Sequence, residues 1–175
     1  MSFRQVLANN EKFACDGRRA AVILPEGVAD WDLSDAYFET GNEINPKFYL
    51  NEVFKRGKNN SFHFELPKKQ AEDFKTKLDS INDEVICVNV NTMEIEQKET
   101  ALVLIDKPNE RIISFNPRYL KEALNFILCS DDEYIEIYYT GSTDALILKS
   151  SRLYAMILPV KIRDYRRNNN THSIC

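Results

Sequence analysis

The stretch RIISFNPRYLKEALNFIL, residues 111–128, decides how the rest of the chain is read. It opens on RIISF, an apolar run rich in β-branched residues, which predicts a strand. Asn116 follows as a helix cap. Pro117 takes the first helical position, where its missing N–H is not needed. Leu120, Leu124 and Ile127 then recur at helical spacing, so one face of this helix is apolar and must lie on a sheet. Three short runs of strand character come next: EYIEIYY, ALILKS and LYAMILPVKI.

The same order stands upstream. SFHFEL alternates Phe62, Phe64 and Leu66 with polar neighbours, which predicts a half-buried strand. Pro67 opens KKQAEDFKTKLDSI, where Ala71, Phe74, Leu78 and Ile81 share a helical face. EVICVNV, TMEIEQ and ALVLID follow as three strands, and KPNE is a turn. Residues 61–106 and 111–162 are therefore two copies of one pattern, strand–helix–three strands, with little identity beyond the pattern itself. Two such units side by side predict one α+β domain over 61–163, built of two βαβββ repeats, with antiparallel sheets outside and two helices on one side. EYIEIYY and EVICVNV are the expected edges for pairing between subunits.

Residues 1–60 read as a separate fragment. FRQVLA is a short strand, and KFACDGRRAAVIL is two more, joined by the turn dipeptide Asp16-Gly17. Residues 25–44 are a long connection. NPKFYLNEVFKRG is a short helix, capped by Asn45 and closed by Gly57. Residues 164–175 are a polar tail.

A chain of 175 residues that is 43% hydrophobic and 29% charged has the composition of an ordinary globular domain. Its net charge of −4 confines any nucleic-acid contact to one face. No apolar run of about 18 residues exists to span a membrane, and MSFRQVLANN lacks the pattern of a secretory signal. Cys15, Cys87, Cys129 and Cys175 are too widely spaced for a zinc framework, so reduced, mostly buried thiols of a cytosolic protein are expected. Only His63 and His172 are present, and neither has a nucleophile beside it in sequence. No catalytic residue, metal or cofactor is expected. SDDE, residues 130–133, reads as a solvated turn before a magnesium site.

The βαβββ duplication is the domain plan of the DNA sliding clamps, and three segments carry the resemblance further. FNPRYLKEALNFIL resembles the FN-x-x-YL-x-x-AL segment in the last domain of the bacterial DNA polymerase III beta subunit. LYAMILPVKI is similar to that family's C-terminal strand. FACDGRRAAVI is similar to its ATDGHRLA segment. The three occur in the family's order between residues 13 and 162. The chain looks shortened, because a bacterial clamp carries three such domains and two chains close its ring. A ring here would need a higher homo-oligomer.

The resemblance implies a non-enzymatic, cytoplasmic processivity factor of DNA replication with two kinds of site. Helix cations would meet duplex DNA without sequence preference. These are Lys68, Lys69, Lys75 and Lys77 on the first helix, and Arg118 and Lys121 on the second. Glu72, Asp73, Asp79 and Glu122 dilute them, so ordinary solvated faces are an equal alternative. The second site would dock peptides from DNA polymerase and other partners against Gly17, Arg18, Arg19 and Ala20, with Met156, Leu158, Pro159 and Val160. Met156, Leu158 and Val160 alternate onto one strand face as its apolar floor, or are plain core. Arg18 stands where the family has His, and Ala20 where it has Leu, which makes the rim more cationic and the floor shallower. The second functional reading is a clamp-derived interaction module that does not encircle DNA. The third is an enzyme, which would depend on His63, Asp131 or Asp132.

Overall fold

The capping signals at residue 116 are realised in the fold. In the computed structural model, which describes residues 13–16, 18–24, 62–97, 111–139, 141 and 143–160, Asn116 is extended and its side chain accepts a hydrogen bond from the Arg118 N–H at 3.0 Å. The elements described are, in chain order, β1 (Phe13–Cys15), β2 (Arg19–Ile23), β3 (Phe62–Pro67), α1 (Lys68–Asp79), β4 (Ile86–Asn89), β5 (Glu94–Glu96), β6 (Ile112–Phe115), α2 (Pro117–Ile127), β7 (Tyr134–Tyr139), β8 (Leu146–Ser150) and β9 (Leu153–Ile157). The predicted strands at FRQVLA and ALVLID, the turn KPNE, the long connection, the helix at 45–57 and the polar tail lie outside the described residues.

The strands form two antiparallel sheets, one in the order β1-β2-β9-β8-β7-β3 and one in the order β5-β4-β6. The repeats do not sit as two self-contained units. Each sends its first strand into the other's sheet: β3 pairs with β7, and β6 pairs with β4. The exchange gives each helix a short connection from a strand of one sheet to the strands of the other. It also corrects the expected edges. EYIEIYY becomes β7, flanked by β8 and β3, and EVICVNV becomes β4, flanked by β5 and β6. Strand neighbours on both edges satisfy their backbone N–H and C=O groups.

The two helices pack on each other and on one face of the six-stranded sheet, α2 over β2, β8 and β9, and α1 against β3 and β7. Antiparallel register puts directly paired residues on the same face. Ala21, Ala155, Leu148, Ile137 and Phe64 are such a row. Its end under α2 is made of alanines, which lets the helix backbone come close. Ala71, Phe74 and Leu78 of α1, and Leu120, Ala123, Leu124, Phe126 and Ile127 of α2, enter one continuous core with this row. Ile113 and Phe115 of β6 and Ile86 and Val88 of β4 complete it. Each large side chain buried there contributes about 1.5–3 kcal/mol. Ile81, predicted on the α1 face, is half-buried against this core.

Three further expectations change. Phe62 is exposed at the start of β3, with the Arg111 guanidinium 3.6 Å from its ring centroid. Cys87 is buried beside Ser114, whereas Cys129 is exposed at the end of α2. The predicted strand LYAMILPVKI also ends early, at Ile157. Pro159 lacks the N–H that a continuing ladder would need.

Candidate functional site

Asp16 organises the turn between β1 and β2. Its Oδ1 accepts the N–H groups of Arg18 and Arg19, each at 3.1 Å, and its Oδ2 accepts Arg19 Nε at 2.8 Å. This is the local aspartate turn that the residue type favours. Arg19 enters β2 opposite Ile157, on the helix-facing side of the sheet, and is only 4% exposed. A charge buried there has to be paired. Its Nη1 donates to Glu122 Oε2 of α2 at 2.5 Å, and its guanidinium lies 4.4 Å from the Tyr119 ring centroid. Burial alone would raise the Asp16 pKa. The Arg19 hydrogen bond, the two backbone N–H groups and the Arg19 charge outweigh it and hold the carboxyl below its ordinary value. Arg19 is held above its ordinary value, because the bonds and charges of Asp16 and Glu122 outweigh its desolvation.

The segment after β9 runs past this turn. The Leu158 N–H donates to the Arg18 carbonyl at 2.8 Å, and the Val160 N–H donates to the Ser114 carbonyl of β6 at 2.7 Å. Leu158, Pro159 and Val160 are half-buried and step from one sheet to the other around Pro159. Ala20 and Met156 are cross-strand partners on the sheet face opposite Arg19, and both are buried. Of the residues singled out for peptide binding, the fold thus brings together Arg18, Arg19, Ala20, Met156 and Leu158. Val160 diverges toward β6. Arg19 is committed to its two carboxylates, Ala20 and Met156 are core, and Gly17 lies outside the described residues.

The helix cations divide in the same way. Lys68 Nζ donates to the Ser130 carbonyl at 2.6 Å, and Lys121 pairs with Asp79. Lys69 and Lys77 are exposed and Lys75 is half-buried. Arg118 is 80% exposed, with its Nε 3.4 Å from Glu122 Oε1. Between the end of α1 and the start of α2 lies an open cleft of about 420 Å³, with Asp79, Asp83 and Glu84 facing Asn116, Arg118 and Lys121. The basic tail residues Lys161, Arg163, Arg166 and Arg167 lie outside the described residues.

The residues an enzyme reading would need are not gathered. His63 stacks on Tyr138 at 4.6 Å, and its Nε2 is 3.4 Å from Glu136. Glu136 in turn accepts Lys149 Nζ and the Tyr138 hydroxyl, each at 2.6 Å. Burial would raise the Glu136 pKa, but Lys149 and Tyr138 hold it below its usual value. Asp132 instead accepts the hydroxyls of Ser151 and Ser150, which lower its pKa. Asp131 is exposed.

Sequence reasoning missed Glu122 and Tyr119. The signal was an arginine inside the apolar run RRAAVI, which has to find a carboxylate once buried. Nothing local says that this carboxylate lies 103 positions away.

No protein-family model matches the sequence, and no curated protein sequence matches it. Solved structures do match. The chain is similar to the DNA polymerase sliding clamp from Caulobacter crescentus at 14% identity, over 85% of this chain and 52% of that one, with a TM-score of 0.52. It is similar to the sliding clamp from Pseudomonas aeruginosa, solved with a ligand, at 12% identity over 85% and 54%, with a TM-score of 0.53. The chain spans about half the length of the clamp chains it matches. It has the fold of the bacterial DNA sliding clamps, an α+β fold of two helices and two antiparallel sheets. Among the described residues, no helix is long and apolar enough to cross a membrane.

Proposed function

We propose that the protein is a non-enzymatic tethering factor of DNA replication. It works in the cytoplasm as a homo-oligomer, holds duplex DNA without reading its sequence, and docks short peptides of partner proteins. One observation carries the reading: the clamp fold, with two helices packed side by side and the cations Lys69, Lys75, Lys77 and Arg118 left at or near their outer surface. Phosphate contacts from such side chains position a protein on DNA and carry no sequence information, as sliding requires. The partner peptide would lie along Leu158 and Pro159, beside Arg18 and the β1–β2 turn.

The test is retention on duplex DNA across a salt series, together with molar mass in solution. Expected are an oligomer and an affinity that falls steeply and equally for unrelated sequences between about 50 and 200 mM salt. A monomer that does not bind duplex DNA even at the lowest salt would sink the reading.

A second reading has its own support. Lys68 and Lys121 spend their charge on Ser130 and Asp79, which leaves the helix surface less basic than the sequence count suggests. The module would then bind proteins without encircling DNA. Peptide binding by a protein that ignores DNA at every salt concentration would favour it.

A further inference from the structure

We propose that two carboxylates of the chain, Glu122 and Asp79, compete with DNA phosphate for the cations of α2, so that α2 grips duplex DNA less firmly than its own charge would allow. The inference rests on the DNA-binding reading above and deepens it by naming what restrains that surface.

α2 carries two cations, Arg118 and Lys121, and each already has an anionic partner. Arg118 Nε lies 3.4 Å from Glu122 Oε1, one turn along the same helix. Glu122 is not free to swing away when a phosphate arrives. Its other oxygen accepts Arg19 Nη1 at 2.5 Å, and Arg19 is buried, held in turn by Asp16 and lying over Tyr119. A buried, permanently charged group therefore fixes the carboxylate in place. The Arg118 guanidinium stands largely in solvent, where a phosphate can reach it, but only by taking it from an acceptor that stays where it is. Lys121 meets Asp79, the last residue of α1, and that pair ties the two helices together. Asp79, Arg118 and Lys121 line the same cleft between the helix ends, so both restrained cations serve one stretch of surface. On α1 the arrangement differs, since Lys69, Lys75 and Lys77 enter no ion pair among the described residues. Carboxylate and phosphate satisfy a guanidinium or an ammonium in the same way, by charge-assisted hydrogen bonds. A resident carboxylate thus subtracts from the phosphate contacts of its cation and from the counterions released on binding.

The experiment is fluorescence anisotropy of a labelled DNA duplex titrated with the full chain across a salt series. The parent is compared with Glu122→Gln, alone and with Arg118→Ala, and with Asp79→Asn, alone and with Lys121→Ala. Asp73→Asn is the control. Asp73 is exposed on α1 and enters no ion pair among the described residues, so its variant reports the loss of one negative charge and nothing more. At low salt, Glu122→Gln and Asp79→Asn should each tighten binding by about twofold to fivefold beyond the control. Each should also steepen the plot of log affinity against log salt by up to about 0.9. Both gains should vanish once the partner cation is removed. Thermal melts check that the variants fold. Should Glu122→Gln fail to fold, the exposed Asp79 pair decides alone. At either site, a gain no larger than that of Asp73→Asn, or one that persists without the partner cation, overturns the competition and leaves DNA binding standing. A parent that binds no duplex at any salt overturns both.

Discussion

Helices α1 and α2 occupy matching places in the two repeats, yet they are made differently. α2 buries Leu120, Ala123, Leu124, Phe126 and Ile127, is capped by the Asn116 side chain, and holds Arg19 through Glu122. α1 buries only Ala71, Phe74 and Leu78, and its N-cap residue, Pro67, makes no side-chain cap bond. Its first N–H is taken instead by the Glu133 carbonyl of the other repeat, at 2.8 Å. One helix is integrated into the core on most of its circumference. The other keeps a polar arc with three lysines. The duplicated pattern fixes where each helix lies, and the residues off the apolar face decide what each is free to do.

Truncating one core side chain on each helix should separate them most. Leu124→Ala removes a fully buried side chain from the shared core, and should cost about 3–4 kcal/mol in denaturant unfolding. Leu78→Ala, in the last turn of α1, should cost about 2–3 kcal/mol, since the helix end has more room to relax. Equal losses would mean that α1 is as integrated as α2.

The ion pairs come next. Glu122→Gln leaves the buried Arg19 with one carboxylate in place of two, and should cost about 1–2 kcal/mol. Its counterpart Asp79→Asn breaks a pair whose side chains are both close to half exposed, so the melting temperature should hardly move. A large loss from Asp79→Asn would contradict the contrast between the helices.

A smaller effect has a pH signature. The folded pKa of Asp16 lies below its unfolded value. Its contribution is therefore fully present above pH about 4 and is lost as pH falls through the folded pKa. Asp16→Asn should lower stability at neutral pH by about 0.5–1 kcal/mol, given the partial exposure of the carboxylate. The variant and the parent should converge on acidification, as pH falls through and below the folded Asp16 pKa. A gap that persists there would assign the loss to the turn's geometry and not to its charge.

Much of this contrast could be read before the fold was known. The helices, the capping by Asn116 and Pro117, and the apolar faces follow from local periodicity, because each needs only residues three or four apart. The exchange of β3 and β6 between sheets does not follow. It depends on which strands meet in space, and each strand's own pattern fits either sheet. The rim was half legible. Asp16 and its turn are local, but the fate of Arg19 depends on a carboxylate of α2. From sequence Arg18 and Arg19 look alike, and only their burial tells them apart.

The smallest effect on stability, and the most telling for function, concerns the polar arc of α1. Lys69, Lys75 and Lys77 enter no ion pair among the described residues, and their replacement by alanine should leave the melting temperature nearly unchanged. If they face phosphates, the triple variant should flatten the plot of log affinity for duplex DNA against log salt. The expected change in slope is about 0.9 for each lysine that neutralises a phosphate. Arg118→Ala tests α2 alone and should change the slope by no more than about 0.9, since Glu122 already screens that guanidinium. The ratio of the two changes measures how the helices share the duplex. A dominant α1 term fits the division of labour seen in the packing. A slope the same in parent and triple variant would show that α1 does not touch DNA, and the module that binds proteins without encircling DNA would become the better account of the fold.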